Sequence, residues 1–406
     1  MKIALVAYDV ALPGEKGLGR LYYLAELFCR CGYEVDLITS NFQHWEKRFR
    51  TPEEMRRNEG ACHITFVKQL GYTKNIQLQR IRSYRVMAKN IKKHLEENTY
   101  DLVYCIIPDN HIAAMSAQYA HSRGIPFIID VEDLWPEAMR MVFDVPVVSD
   151  ILFSYFTVDA RRAYRLADGV IGSSDDYRDE PLKYKADIPR KATVYVGNDI
   201  AAFDAGAAEN LAAVEKTAGE FWITYAGTLG TSYDIATLIR AADILKKRGH
   251  DDIRVMLLGD GPLRGDFEAL ARELSGNVTF MGYMPFPVMA AYLVRSDAAI
   301  NSVVKKASQS IVSKIGDYLA SGRPMINTCL NPEFWHKVEA DGFGVNVEPE
   351  DAEALAEAIL ALKNDPAACR RMGEAGRRIA EEQFDRPVSY MRIVRMADEL
   401  LGVERE

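Results

Sequence analysis

The sequence predicts an α/β protein built from two parallel-sheet domains, and three observations predict it. At 406 residues the chain is too long for one ordinary core and suits two. Short apolar runs alternate with helical patterns through the first half, as a parallel sheet with crossover helices requires. The same alternation then restarts past residue 220.

The elements follow in order. Residues 1–7, MKIALVA, form an apolar strand that runs into a loop holding Gly14, Gly17 and Gly19. A helical pattern comes next, stopped by Gly32, and a strand at 34–39 completes a βαβ unit. Further strands are expected at 102–107, 127–131 and 169–172, with helical stretches at 112–122 and 160–166 between them. In the second half a strand at 221–226 enters the Gly227–Gly230 loop and a helix at 234–248. Strands at 254–258, 278–281, 298–301 and 324–327 continue the pattern. The stretch 196–219 is rich in Ala, Gly and Asn and poor in core-forming residues, so it reads as the interdomain linker. Domains are expected over residues 1–200 and 201–380, with a helical segment at 381–406 crossing back to the first.

Composition narrows the class. With 48% hydrophobic and 27% charged residues the chain reads as a globular protein. The first residues lack the apolar run of a signal peptide, and no stretch of 18 or more apolar residues suggests a membrane span. The expected location is therefore cytoplasmic. The six cysteines show neither a CxxC pair nor zinc spacing, so reduced thiols and no metal are expected. The net charge of -8 hides a basic segment: residues 41–95 carry 13 Lys or Arg against four Glu. Such a segment in an acidic chain points to an anionic partner, a lipid headgroup or a phosphorylated acceptor, or else to a solvated helix face. Nothing in it indicates nucleic acid.

Four stretches could carry chemistry. In PGEKGLGR, residues 13–20, glycines between a strand and a helix allow close backbone approach to an anion. The spacing is not GxGxxG and no acid ends the second strand, which argues against a nicotinamide cofactor. LLGDGPL, residues 257–263, is a strand-to-helix turn. SQSIVSKIGDYLASGRPMINT, residues 308–328, leads small and polar residues into a helix with Lys314 and Asp317. A lysine beside helix-start amides suits a diphosphate, and a carboxylate one turn on suits a diol. FIIDVEDLWPEAM, residues 127–139, crowds Asp130, Glu132, Asp133 and Glu137 at a strand end. Carboxylates there could bind a metal, orient hydroxyls or take a proton, or merely surround a Trp135–Pro136 corner.

Together these motifs resemble the family 4 (group 1) retaining glycosyltransferases of the GT-B fold. The residues carrying the resemblance are Gly17 to Arg20 with Gly32 to Val35, YAGTLG at 225–230, LLGDGPL at 257–263, VTFMGYMP at 278–285 and SKIGDYLASGRPMI at 313–326. The DLWPE stretch at 133–137 resembles the branch that builds bacterial capsule, O-antigen and exopolysaccharide. The resemblance implies two Rossmann-like domains facing a central cleft, with a nucleotide-diphosphate sugar held by the second. It implies no cofactor beyond that donor. The paired-glutamate motif of the family falls on Gln309 and Asp317, and Lys314 matches the lysine near the diphosphate. The Arg and Lys that many members carry after the first strand of the second domain are missing: Thr228, Leu229 and Tyr233 stand there. Where many members have a His in the first domain, this chain has Glu132 beside Asp133.

The expected donor site then comprises Gly17, Gly19, Gly227, Thr228, Gly259, Gly282, Tyr283, Gln309, Ser310, Ile311, Val312 and Asp317. Lys314 is expected to neutralise the leaving diphosphate, with Lys305 or Lys306 in support, while Glu132 or Asp133 orients the acceptor. The donor is expected to be a UDP-sugar, and the transferred group an N-acetylated hexosamine. The acceptor is expected to be a polyprenyl-diphosphate-linked saccharide at the inner face of the plasma membrane, met through the basic 41–95 segment. Two alternatives share the architecture: a non-hydrolysing sugar-nucleotide epimerase and a non-catalytic sugar-nucleotide-binding subunit.

Overall fold

The computed structural model describes residues 1–15, 19–56, 60, 62–74, 77–136, 148–307 and 311–405. The chain divides into two compact units, Met1–Val194 with Tyr390–Glu406, and Tyr195–Ser389.

The strands of the first unit are β1 (Lys2–Val6), β2 (Glu34–Ser40), β3 (Phe42–Gln43), β4 (Arg48–Phe49), β5 (His63–Val67), β6 (Leu102–Ile107), β7 (Phe127–Val131), β8 (Gly169–Gly172) and β9 (Arg190–Thr193). Seven of them form one sheet in the order β5-β2-β1-β6-β7-β8-β9, every pair parallel. β6 and β7 are apolar throughout apart from Asp130 and buried at every position, as a sheet covered on both faces demands. One face is packed by the helix Arg20–Arg30 and by Met391–Leu401, whose Ile393, Val394 and Ala397 join the core around Ile3 and Leu5. The other face is covered by the helices Leu78–Glu97, Asn110–Arg123 and Val148–Arg165.

In the second unit the strands β10 (Phe221–Ala226), β11 (Ile253–Leu258), β12 (Val278–Gly282), β13 (Ala298–Asn301), β14 (Met325–Asn327) and β15 (Gly344–Asn346) make a six-stranded sheet. Its order is β12-β11-β10-β13-β14-β15, again all parallel. Both sheets therefore start at a central strand, add two neighbours on one side, and then reverse. The reversal falls between β1 and β6 in one unit and between β10 and β13 in the other. Ligands of open α/β sheets bind at such switch points, beyond the C-terminal strand ends.

The expected linker at 196–219 is instead largely structured and belongs to the second unit. Asp199 accepts from the Ala202 amide at 2.8 Å and caps a helix at Ile200–Asn210. Ile200, Phe203 and Ala207 are buried at helical spacing. The small residues that made this stretch look like a linker allow close packing: a Cβ at Gly206 would stand 2.6 Å from the Pro287 Cα. Among the described residues, no helix is long and apolar enough to cross a membrane.

Candidate functional site

A set of backbone contacts in the second unit lies at the C-terminal ends of β10, β11 and β12. Two strand-end loops are joined there backbone to backbone. The Gly227 amide donates to Leu258 O at 2.8 Å, Leu229 N to Asp260 O at 2.9 Å, and Leu263 N to Leu229 O at 3.1 Å. Gly259 has φ +138 and donates to Gly282 O at 2.7 Å. A Cβ on Gly259 would lie 1.8 Å from Gly227 O, so no other residue permits this approach. The motifs around Gly227, Thr228, Gly259 and Gly282 thus come together as one floor. Tyr283, next in the chain, is 80% exposed at its edge.

Across the switch point, Lys314 directly precedes the helix Ile315–Ala320. Its Nζ lies 3.8 Å from the ring centre of Tyr233 and 4.2 Å from that of Tyr225. The amine is buried, and among the described residues it meets no hydrogen-bond acceptor. Burial pushes it well below the ordinary lysine range. One turn on, the Tyr318 hydroxyl closes the end of β10, accepting from Ala226 N and donating to Ala226 O, both at 2.9 Å. Tyr225 OH donates to Thr228 O at 2.8 Å and pins the loop above Lys314.

Asp317 faces the segment that follows Tyr195. Asn198 Nδ2 donates to Asp317 Oδ1 at 2.6 Å, and burial raises the carboxyl to about 7 against the partial opposition of Asn198 and Arg386. Gly316 permits the contact, because a Cβ there would stand 1.9 Å from Asn198 Oδ1. Asn198 is itself held by its backbone, which receives from Arg386 N and donates to Phe384 O. Sequence reasoning missed Asn198, Tyr225 and Tyr318 as members of this group, and treated Tyr233 only as a missing cation. Ile311 and Val312 are half-buried against the core of the unit, and Val312 O receives Ile315 N at 3.2 Å. Gln309 and Ser310 lie outside the described residues, as do Gly17 and Glu137. Lys305 and Lys306 are exposed on a single turn at Lys305–Ala307.

The first unit has its own buried charge at a strand end. Arg20, at the start of its helix beside Gly19, is 1% exposed. It reaches Asp130 Oδ2 at 2.7 Å, Glu132 Oε1 at 2.6 Å and Val194 O at 3.2 Å, and lies over the Tyr390 ring. Tyr104 OH donates to the same Asp130 oxygen at 2.5 Å. Burial alone would disfavour the guanidinium; the adjoining Asp130, Tyr390 and Glu132 reverse that and hold it firmly charged. Asp133 accepts from Leu134 N at 2.9 Å and from Trp135 Nε1 at 3.1 Å. Both acids of the expected acceptor motif therefore hold the strand-end loop in shape, whatever else they touch. Arg20 is the residue that sequence reasoning passed over here, although an arginine at a glycine-flanked helix start was visible.

The basic segment is also partly consumed by the fold. Arg50 is 4% exposed and donates to Glu15, Ser40 O and Val10 O. Arg48 is paired with Glu46 and Glu54, and Arg80 lies over the rings of Tyr72, Tyr84 and Trp135. Lys68, Lys74, Arg82, Lys89, Lys92 and Lys93 stay exposed. Among the described residues, no group of three His, Cys, Asp or Glu side chains could hold a metal ion.

Comparison with known proteins agrees with this geometry. Residues 220–365 match the family model for glycosyl transferases group 1, a span that contains the β10–β12 floor, Lys314 and Asp317. EpsD of Bacillus subtilis (strain 168), a protein that carries a glycosyltransferase name, is 27% identical over 172 residues, 40% of this chain and 41% of that one. The chain thus spans less than half of that relative's length. Among solved structures, sucrose-phosphate synthase from Thermosynechococcus elongatus has a TM-score of 0.69 at 18% identity, covering 99% of each chain. HepE of Anabaena in complex with UDP has a TM-score of 0.69 at 15% identity, covering 99% of this chain and 100% of that one. The chain as a whole therefore has the GT-B fold of two Rossmann-like domains, and residues 220–365 of its second unit match the group 1 glycosyl transferase family model.

Proposed function

We propose that the protein is a retaining glycosyltransferase that takes a UDP-sugar as donor. The observation that carries this reading is the joined Gly227–Gly230 and Gly259–Gly261 floor, with a buried lysine and a carboxylate one turn apart at the β10/β13 switch point. A lysine that has no counter-anion among the described residues suits a diphosphate, and Asp317 suits the hydroxyls of a ribose. The choice of UDP is supported by HepE, solved with UDP and with UDP-glucose.

On this reading the acceptor hydroxyl attacks the anomeric carbon on the face the diphosphate leaves. The carbon–phosphate oxygen bond breaks, and the departing phosphate oxygen accepts the hydroxyl proton. Stabilising the charge that grows on the diphosphate is then the main catalytic contribution, and Lys314 supplies it. The first unit supplies the acceptor side. Its exposed lysines and arginines support an anionic, lipid-linked saccharide as acceptor, and an N-acetylated hexosamine is proposed as the transferred sugar.

The test is a thermal-shift screen against UDP-, GDP-, TDP- and ADP-sugars, followed by turnover with and without saccharide acceptors. A UDP-sugar should raise the melting temperature and be consumed only when an acceptor is present. Epimerisation or hydrolysis of the donor without acceptor, or no nucleotide-sugar binding, would overturn the proposal.

A further inference from the structure

Among the described residues, the Lys314 amine meets no hydrogen-bond acceptor and no paired side-chain anion. Tyr225, Tyr233 and Tyr318 are all raised above the ordinary phenol range by burial and stay neutral. The Cys329 thiol is pushed up by burial in the same way, so it faces the amine as a thiol rather than a thiolate. Asp317 lies on the same helix but is engaged by Asn198 and is itself raised to about 7. What Lys314 has instead is two aromatic faces, at 3.8 Å and 4.2 Å from Nζ. The electron-rich faces of tyrosine attract an ammonium, more strongly where water is excluded. The amine is also aimed at the loop: a Cβ on Gly227 would lie 3.3 Å from Nζ.

We propose that Tyr225 and Tyr233 are positioning residues that hold the Lys314 amine beneath the Gly227–Gly230 loop, where an anionic diphosphate becomes its counter-ion. The inference rests on the donor-site reading above and assigns the two tyrosines a part in it. It also explains how this chain manages with Tyr233 in the region where the resembled family carries a cation. The ring steers a lysine from the other side of the switch point into the same neighbourhood. Since burial disfavours the ammonium and a diphosphate favours it, binding draws a proton on to Lys314 from solvent. The tyrosines bear no proton in the reaction; they act through the lysine.

The experiment is calorimetric titration with UDP, with uridine as the control lacking phosphate, in two buffers of different ionisation enthalpy. It is run at about pH 8.5, where Asp317 is ionised with or without ligand. Wild-type protein should take up a fraction of a proton per UDP and none with uridine. Lys314→Met should abolish the uptake. Tyr233→Leu should weaken UDP about three- to thirty-fold, the loss of one cation–π face, and move the alkaline fall in affinity to lower pH. Tyr233→Phe, which keeps the ring, should behave as wild type, and its melting curve shows whether the site remains folded. UDP binding with a buffer-independent enthalpy, or a Tyr233→Leu profile that overlays wild type, would overturn the proposal. A wild-type protein that binds neither UDP nor any other nucleoside diphosphate would instead overturn the donor-site reading, and this inference with it.

Discussion

Arg20 and Asp130 form an ion pair that is closed to solvent on both sides, with side-chain exposures of 2% and 0% and 2.7 Å between Nη2 and Oδ2. The pair ties the first turn of the Arg20–Arg30 helix to the C-terminal part of β7; Tyr104 and Val194 add hydrogen bonds, and Glu132 adds a second carboxylate at 2.6 Å from Arg20. Removing Asp130 leaves the buried guanidinium with the partly exposed Glu132 as its remaining counter-charge. Asp130→Ala should therefore destabilise the first unit by about 3–5 kcal/mol, measured by denaturant unfolding. The double change to apolar residues of similar volume should recover much of that loss. A single substitution that costs under about 1 kcal/mol would show the pair to be incidental.

Asp317 makes a pH-dependent prediction. Burial raises its folded value to about 7, above the 3.8 of a free aspartate, so the native state holds the extra proton between the two. Stability should fall as pH rises from about 4 to about 7 and then level off, because the unfolded state releases its proton first. Asp317→Asn should flatten that part of the stability–pH curve. Nucleotide affinity should do the opposite in wild type, rising as the carboxylate forms near pH 7, and should lose that rise in the variant. Parallel curves for the two proteins would remove Asp317 from both roles.

The joined loops predict a severe effect from a single methyl group. Gly259→Ala combines φ +138 with a contact at 1.8 Å to a backbone oxygen. The loops would have to part, at about 3 kcal/mol or more. Donor binding should weaken along with stability. Gly265→Ala, whose Cβ would meet nothing within 4 Å, is the matched control and should be silent. Equal melting temperatures for the two variants would refute the account.

An asparagine ladder crosses the ends of three strands in the second unit. Asn301 Nδ2 donates to Asn327 Oδ1 at 2.9 Å, and Asn327 Nδ2 donates to Asn346 Oδ1 at 2.8 Å. The three residues stand in register on β13, β14 and β15. Asn327→Leu should cost about 2–4 kcal/mol, since it strands a donor on Asn301 and an acceptor on Asn346. Asn346→Leu, at the less buried end of the ladder, should cost less. Thermal unfolding of the two variants ranks them, and the reverse order would sink this reading.

How far the sequence could be read depended on burial. The strands at 102–107, 127–131, 169–172, 221–226 and 298–301 are made mostly of apolar or small residues, and their limits coincide with those observed. Besides the two-residue β3 and β4, the strands that went unread, β5, β9 and β15, sit at sheet edges and leave positions partly exposed. Their residues, HITFV, RKAT and GVN, have too little apolar content to stand out. The donor-side motifs were legible for a different reason. Glycines at strand ends and a lysine before a short helix are local features, visible wherever they occur in the chain.

What the sequence by itself determined is the repeated βαβ order, hence two parallel sheets, and the glycine-rich strand ends with Lys314 and Asp317 among them. Alternating strands and helices with right-handed crossovers leave few other topologies open. Only the tertiary structure decided which side chains meet. Asn198 comes to Asp317 from 119 positions away, Tyr318 closes β10 from 92, and Arg20 reaches Asp130 across 110. Such pairings depend on the packing of whole elements, which no local pattern encodes. The same packing set Lys314, expected beside a diphosphate, in a buried place against two tyrosine rings.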